Sequence, residues 1–300
     1  MRRKVILHGP STLTISLPSS WVKKQGVKKG DEIDISFVND WLKIKSTNEP
    51  KKKNIFIDIK NNKRTGRSYI TSTYRQGWDE LNLKFNEPKY ISEIQSTISE
   101  QLVGFEIIKQ NDTSCTIKDL SGMSDTEFET ALRRTWLLTL ELAKSSINAI
   151  NNQDSELLKN IPSRDRSINK FSNYCLRYIN KKGYKQGKNT AYYFFIRHLE
   201  EIADEFHYMS QSCNKYKPPK EIKQIFNQIL KSMEKLYATF YKYNDKIIEE
   251  LFKDTKKILN TLSEKLNSSS KNPALINHLY NISSRIRKTL STIIEINISE

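Results

Sequence analysis

From Ser124 onward, apolar residues recur every three or four positions in six separate stripes, a period that commits more than half of the 300-residue chain to helices. The first stripe runs Phe128, Leu132, Trp136, Leu140, Ala143, Ile147 and Ile150, and Ser124 with Glu127 has capping-box spacing at its start. The second carries Ile161, Ile168, Cys175 and Ile179 and ends at Lys182-Gly183; Pro162 is expected to kink its start or divide it. The third, Tyr192, Phe195, Leu199, Ile202, Phe206, Met209 and Cys213, alternates spacings of three and four. Pro218-Pro219 then breaks the chain. Three further stripes follow: Ile222, Ile225, Ile229, Leu236 and Phe240; Ile248, Leu251, Ile258 and Leu262; and Leu275, Leu279, Ile282, Ile286, Leu290 and Ile293 behind an Asn272-Pro273 cap.

Three helices, a proline break and three more helices suggest an internal duplication. Asp165-Arg166-Ser167-Ile168-Asn169 falls against Asp245-Lys246-Ile247-Ile248-Glu249. Leu199-Glu200-Glu201-Ile202-Ala203-Asp204 falls against Leu279-Tyr280-Asn281-Ile282-Ser283-Ser284. A shared helical frame would produce the same apolar matches.

At the N-terminus the period is two. Leu13, Ile15 and Leu17 alternate with Thr12, Thr14 and Ser16, and Ile33, Ile35 and Phe37 alternate with Asp34 and Ser36, so each strand has one apolar face. Asn39-Asp40 suits a tight hairpin turn before the strand Trp41 to Lys45. Between the strand pairs, Ser19 precedes a capped helical turn that stops near Gly26. A unit of this size buries too little surface to stand alone without metal, disulfides or a partner chain, and dimerisation is the expected remedy. Pro50 to Lys53 reads as a basic linker. Beyond it, Ile55 to Ile57, Leu81 to Phe85, Phe105 to Ile108 and Cys115 to Leu120 read as strands, with a helix over Ser92 to Val103 and a turn at Asn111-Asp112. The expected domains are therefore 1–47, 54–121 and 124–300.

The 50 Lys and Arg outnumber the 34 Asp and Glu, a formal charge of +16 that favours polyanionic partners or serves solubility alone. Residues 1 to 30 hold Arg2, Arg3, Lys4, Lys23, Lys24, Lys28 and Lys29 and no acidic residue. Such a segment can neutralise phosphates, and Gly9, Ser11 and Thr12 let a backbone approach DNA closely; a solvated surface would read the same from charge alone. Three widely spaced cysteines suggest neither a disulfide framework nor a zinc ribbon, and a reducing cytoplasm fits best. Val5-Ile6-Leu7 is too short for a signal-peptide core, and Ala191 to Ile196 falls well short of a membrane span. No phosphate-binding glycine loop, nucleophile elbow or metalloprotease motif is present, and an enzyme is not expected.

Gly9, Ile15, Leu17, Pro18, Trp21, Val27, Lys29-Gly30-Asp31, Ile33 and Ile35 resemble the AbrB/SpoVT (MraZ-like) swapped-hairpin domain over roughly residues 3 to 46. That resemblance implies an intertwined homodimer whose basic face binds DNA through Arg2, Arg3, Lys4, Lys23 and Lys24, to which the hydroxyl positions Ser11 and Thr12 are added from the residues themselves. From about Glu127 onward the chain resembles the PhoU family at Arg164-Asp165, Cys175-Leu176-Arg177-Tyr178-Ile179 and Leu199-Glu200-Glu201-Ile202-Ala203-Asp204. The combination resembles archaeal phosphate uptake regulators. It implies control of phosphate transport genes, or alternatively contact with phosphate transporter components.

The PhoU resemblance also implies a multinuclear cluster of iron or another divalent metal, held by paired acidic motifs on facing helices. Glu200 and Asp204 are neighbours on a helix, with His207 beside them. Asp165 lies in register with Ile161 and Ile168, where an unpaired carboxylate is costly; an Arg or Lys partner would satisfy it as well as a metal. The chain departs from the family pattern at Asn169 and at Tyr280 and Ser284, while Asp245 and Glu249 remain on the fifth helix. The fold class expected is multidomain α+β: a swapped-hairpin β module, a small mixed α+β domain and an all-α PhoU-like six-helix bundle of two three-helix repeats.

Overall fold

Alternating apolar residues near the N-terminus form two short antiparallel hairpins. β1 (Ile6–His8) pairs with β2 (Thr12–Thr14), and β3 (Ile33–Val38) with β4 (Trp41–Ser46). α1 (Ser19–Gln25) lies between them and stops at Gly26, whose φ of 68° is the left-handed end a glycine supplies. Pro18 takes its N-cap position and no side chain caps it, so Ser19 is the first helical residue, not the cap. The ladder ends at Thr14, although the alternation continues to Leu17. The two hairpins form separate two-stranded sheets. The computed structural model describes residues 1–38, 41–47, 52–59, 63–185, 187–212, 216–267 and 272–298; the expected Asn39-Asp40 turn, Pro50 and Cys213 lie outside them.

The chain divides into two compact units, Met1–Lys53 and Asn54–Glu300. Among the described residues of the first, none is buried: Trp41, Phe37 and Leu13 are 78%, 80% and 68% exposed.

The second unit begins with a four-stranded sheet in the order β5-β6-β8-β7, formed by β5 (Asn54–Asp58), β6 (Glu80–Lys84), β7 (Phe105–Asn111) and β8 (Ser114–Asp119). β5 and β6 are parallel, joined through α2 (Lys63–Arg75); α3 (Tyr90–Gln101) leads to β7, and β8 returns antiparallel between β6 and β7. Leu81, Leu83, Cys115 and Ile117 are buried in one core with Ile70, Tyr74, Ile94 and Ile98 of the two helices. α2 was not expected from the sequence. Its stretch holds Gly66 and several β-branched threonines, which weaken the helical signal. In the fold Thr71 donates back to Arg67 O (3.0 Å) and Thr73 to Tyr69 O, so both hydroxyls are satisfied where they are buried.

Six long helices follow: α4 (Asp125–Asn152), α5 (Ser155–Lys182), α6 (Asn189–Ser212), α7 (Lys220–Tyr241), α8 (Asp245–Asn267) and α9 (Pro273–Asn297). The expected capping box closes at Ser124 and Glu127, and Asn272 caps α9 by accepting from Leu275 N at 3.0 Å. α5 runs through Pro162 without interruption, so the proline does not divide it. α4, α5 and α6 pack on one another, as do α7, α8 and α9, and the α6–α9 and α4–α7 contacts join the two sets. The stripes read from the sequence form the shared core, with Leu140 and Phe240 half-buried at its edge.

α5 also ties this bundle to the α+β segment through a polar row. Lys170 donates to Ser99 O (2.8 Å) and Asn173 to Gln101 O (3.1 Å), closing the C-terminal end of α3. Asn180 donates to Arg75 O (2.8 Å), and Arg177 donates to Tyr74 O (2.8 Å) and Trp78 O (2.7 Å), doing the same in the last turn of α2 and just beyond it. The Ser99, Gln101, Tyr74 and Arg75 carbonyls belong to the last turns of α3 and α2, where a helix concentrates its partial negative charge; that of Trp78 lies just past α2. Arg177 is fully buried, pairs with Asp119 at 2.7 Å and lies 4.8 Å from the ring centroids of both Tyr74 and Phe105. Replacing Arg177 by Ala takes the closest charged donor from Asp119, leaving it Lys181 at 3.5 Å and Ser121, and removes a charged donor from the Tyr74 and Trp78 carbonyls. The expected loss is about 3–5 kcal/mol of stability, read by urea unfolding followed by circular dichroism. Arg177→Lys should fall between, because one ammonium cannot match the planar fork.

Candidate functional site

The basic residues of the first unit sit on local elements. Arg2, Arg3 and Lys4 precede β1, Ser11 and Thr12 lie in and after the β1–β2 turn, and Lys23 and Lys24 occupy the last turn of α1. All seven are exposed, and among the described residues none of the five cations is ion-paired. Their charge is therefore available to solvent or to a polyanion.

The second candidate group lies where α5 meets α6. Asp165 is 6% exposed; its Oδ2 is 3.0 Å from His207 Nδ1 and accepts from Asn169 Nδ2 at 3.3 Å, while its buried Oδ1 has no hydrogen-bond partner. Burial, followed by the Asp165 charge, pushes the Asp204 carboxyl up to about 6 against the pull of Arg197 and His207. Glu200 is 2.6 Å from Arg197, which also approaches Glu201 at 3.8 Å. Burial nevertheless outweighs the guanidinium and pushes the Glu200 carboxyl up to about 7.

The structure thus brings Asp165 and His207 into contact, with Asp204 near enough to feel both charges, and places Glu200 one helical turn before Asp204, beside Arg197. The donor set does not fit a multinuclear metal cluster. Among the described residues no three His, Cys, Asp or Glu side chains converge as ligands. An amide stands at Asn169, and a guanidinium lies against Glu200, where a divalent cation would be repelled. Asp165 Oδ1 and Asn169 Oδ1 are buried here without a hydrogen-bond partner, as is Glu200 Oε2 apart from its ion pair with Arg197.

A parallel group on the other side of α6 was not singled out in the sequence. His278 Nδ1 of α9 is 2.9 Å from Glu205 Oε2, and Arg285 approaches Glu205 at 3.7 Å and Glu201 at 3.6 Å. Only the facing of α6 and α9 could have revealed it, since Glu205 and His278 are 73 positions apart. Asp245 and Glu249 are exposed, with Asp245 accepting from Tyr243 (2.8 Å) and Glu249 paired with Lys253 (2.7 Å). Cys115 and Cys175 are buried; burial pushes the Cys115 thiol up to about 11 and raises that of Cys175 further, so neither is a thiolate near neutrality.

Residues 132–212 match the PhoU family model, described as PhoU domain, which spans most of α4 and all of α5 and α6. The match supports a PhoU-type helical protein, and no curated protein or solved structure matches the chain. Among the described residues no helix is long and apolar enough to cross a membrane.

Two outcomes follow for the α5–α6 group. Chain exposed to iron(II), manganese or zinc and then desalted should retain less than one equivalent by elemental analysis, with Tm unmoved. In chelator-containing buffer, Glu200 and Asp204 hold protons in the folded state that their unfolded forms release near 4.5 and 3.8. Their raised values therefore oppose folding, and stability should fall as pH rises from about 4 to about 7. Glu200→Gln and Asp204→Asn should each flatten that decline in a Tm-against-pH series.

Proposed function

We propose that this protein regulates phosphate uptake and homeostasis by binding DNA as a dimer through its first unit, with the helical bundle as the sensing half. The observation that carries this reading is the first unit itself. Its 30 N-terminal residues hold seven Lys and Arg and no acid, and its apolar strand residues are uncovered in a single chain. A second copy would bury Phe37, Trp41, Leu13 and their neighbours, consistent with the swapped-hairpin resemblance, and would double the basic charge on one body. The PhoU match supports the phosphate role.

An adaptor that contacts a phosphate transporter or its regulators is the second reading. The family match favours it, because it lies wholly in the helices and requires no DNA. Both readings are regulatory and neither assigns a catalytic residue.

The discriminating experiment is binding to the chain's own upstream DNA and to phosphate-transporter promoters across a salt series. With Arg2, Arg3, Lys23 and Lys24 changed to Ala, specific binding should be lost and the salt slope should drop by roughly 0.9 for each phosphate contact removed. Equal, weak binding by both proteins would favour the adaptor. Analytical ultracentrifugation should show a dimer, and Phe37→Ser with Trp41→Ser should shift it toward monomer without lowering helical content.

A further inference from the structure

At one end of the bundle, away from both candidate groups, a cavity of about 640 Å³ opens between the first turns of α4, the loop before α6 and the C-terminal ends of α7 and α9. Its volume falls in the range of small-molecule sites. The floor is apolar and aromatic: Leu132 and Tyr192 are buried, and Phe240 packs against Tyr192 with ring centroids 6.4 Å apart. The rim is cationic. Arg133, Lys185 and Lys188 line it against one carboxylate, Glu129, which is itself occupied by the Tyr184 hydroxyl at 2.9 Å.

The three cations have different standing. Lys188 donates to Ile296 O (2.6 Å) and Ile298 O (3.0 Å), so its charge is held in place by the end of α9. Lys185 Nζ lies 5.5 Å from the Tyr184 ring and 5.7 Å from that of Tyr192. Arg133 is exposed, and among the described residues it has no hydrogen bond or ion pair. Tyr241 stands at the mouth, 51% exposed, its ring edge-on to Phe240 at 5.0 Å.

A free inorganic anion would use the rim and leave the rings idle, whereas a neutral aromatic would leave the cations unanswered. A flat ring joined to a multiply charged anion uses both, through stacking and charge-assisted hydrogen bonds. We propose that this cavity binds a nucleotide, with the base on the Phe240 and Tyr241 rings and the phosphates at Arg133 and Lys185. The site lies wholly within the second unit and stands whether or not the first unit binds DNA.

The test is isothermal titration of the full chain with ATP, GTP, adenosine and inorganic phosphate. A nucleotide should bind at least 10-fold more tightly than either adenosine or phosphate. Arg133→Ala with Lys185→Ala should weaken it at least 10-fold, and Tyr241→Ala should weaken the nucleotide severalfold. These are exposed positions, so unchanged Tm and circular dichroism should confirm that the variants fold. The Arg2, Arg3, Lys23 and Lys24 to Ala variant should bind nucleotide as the wild type does. No nucleotide binding, equal affinity for nucleotide and phosphate, binding that survives the Arg133/Lys185 change, or binding lost with the N-terminal change would each overturn the proposal.

Discussion

Arg177 carries a full charge at a position without solvent access, and that is tolerable only because its surroundings are built from complementary parts. The Tyr74 carbonyl in the last turn of α2, the Trp78 carbonyl just beyond it, the Asp119 carboxylate and the faces of Tyr74 and Phe105 replace most of the hydration a guanidinium loses on burial, leaving Nε without a partner. Each of these groups comes from the α+β segment, whereas Arg177 comes from the bundle. The two parts of the larger unit therefore share one electrostatic centre, and the rest of the polar row on α5 extends it. Gly77, with φ of 84°, lets the chain after α2 pass close to Lys181, where a Cβ would sit 3.1 Å from the lysine side chain.

The first unit has the opposite economy. Its hairpins satisfy their backbone locally, yet no side chain among its described residues is buried. Hydrogen-bonded strands without a core are marginal in water, so their apolar faces call for another surface. That need and the acid-free charge of the same 30 residues are what the proposed dimeric, DNA-binding reading rests on.

Within the bundle, α6 presents carboxylates to both of its neighbours, and most of them are answered by the protein's own cations. Arg197 holds Glu200, and His278 and Arg285 hold Glu205, while His207 of α6 in turn pairs with Asp165 of α5. Burial raises the carboxyls of Glu200 and Asp204 because the fold withholds water there faster than it supplies positive charge. The residue pattern that resembles a metal-binding helix pair thus carries ion pairs within the protein, with Asp165 Oδ1 and Asn169 Oδ1 among its buried oxygens that lack a hydrogen-bond partner.

Periodicity alone determined much of this chain: six stripes with a three-to-four spacing specify six helices and their buried faces, and alternation specifies the N-terminal hairpins. Those signals are local, since a helix or strand exposes its face to the core at a fixed interval. α2 escaped because its threonines and Gly66 weaken the local signal, and only burial against the sheet with back-bonded hydroxyls makes it a helix. Asp165, Glu200, Asp204 and His207 could be named from spacing, but whether they meet a metal, a proton or an arginine depends on which face each helix turns to its neighbours. The role of Arg177, the Glu205–His278 pair and the cavity between α4, α6, α7 and α9 were decided by tertiary structure alone. Each joins residues dozens to more than a hundred positions apart, and charge, burial and cavity shape exist only once those segments are packed.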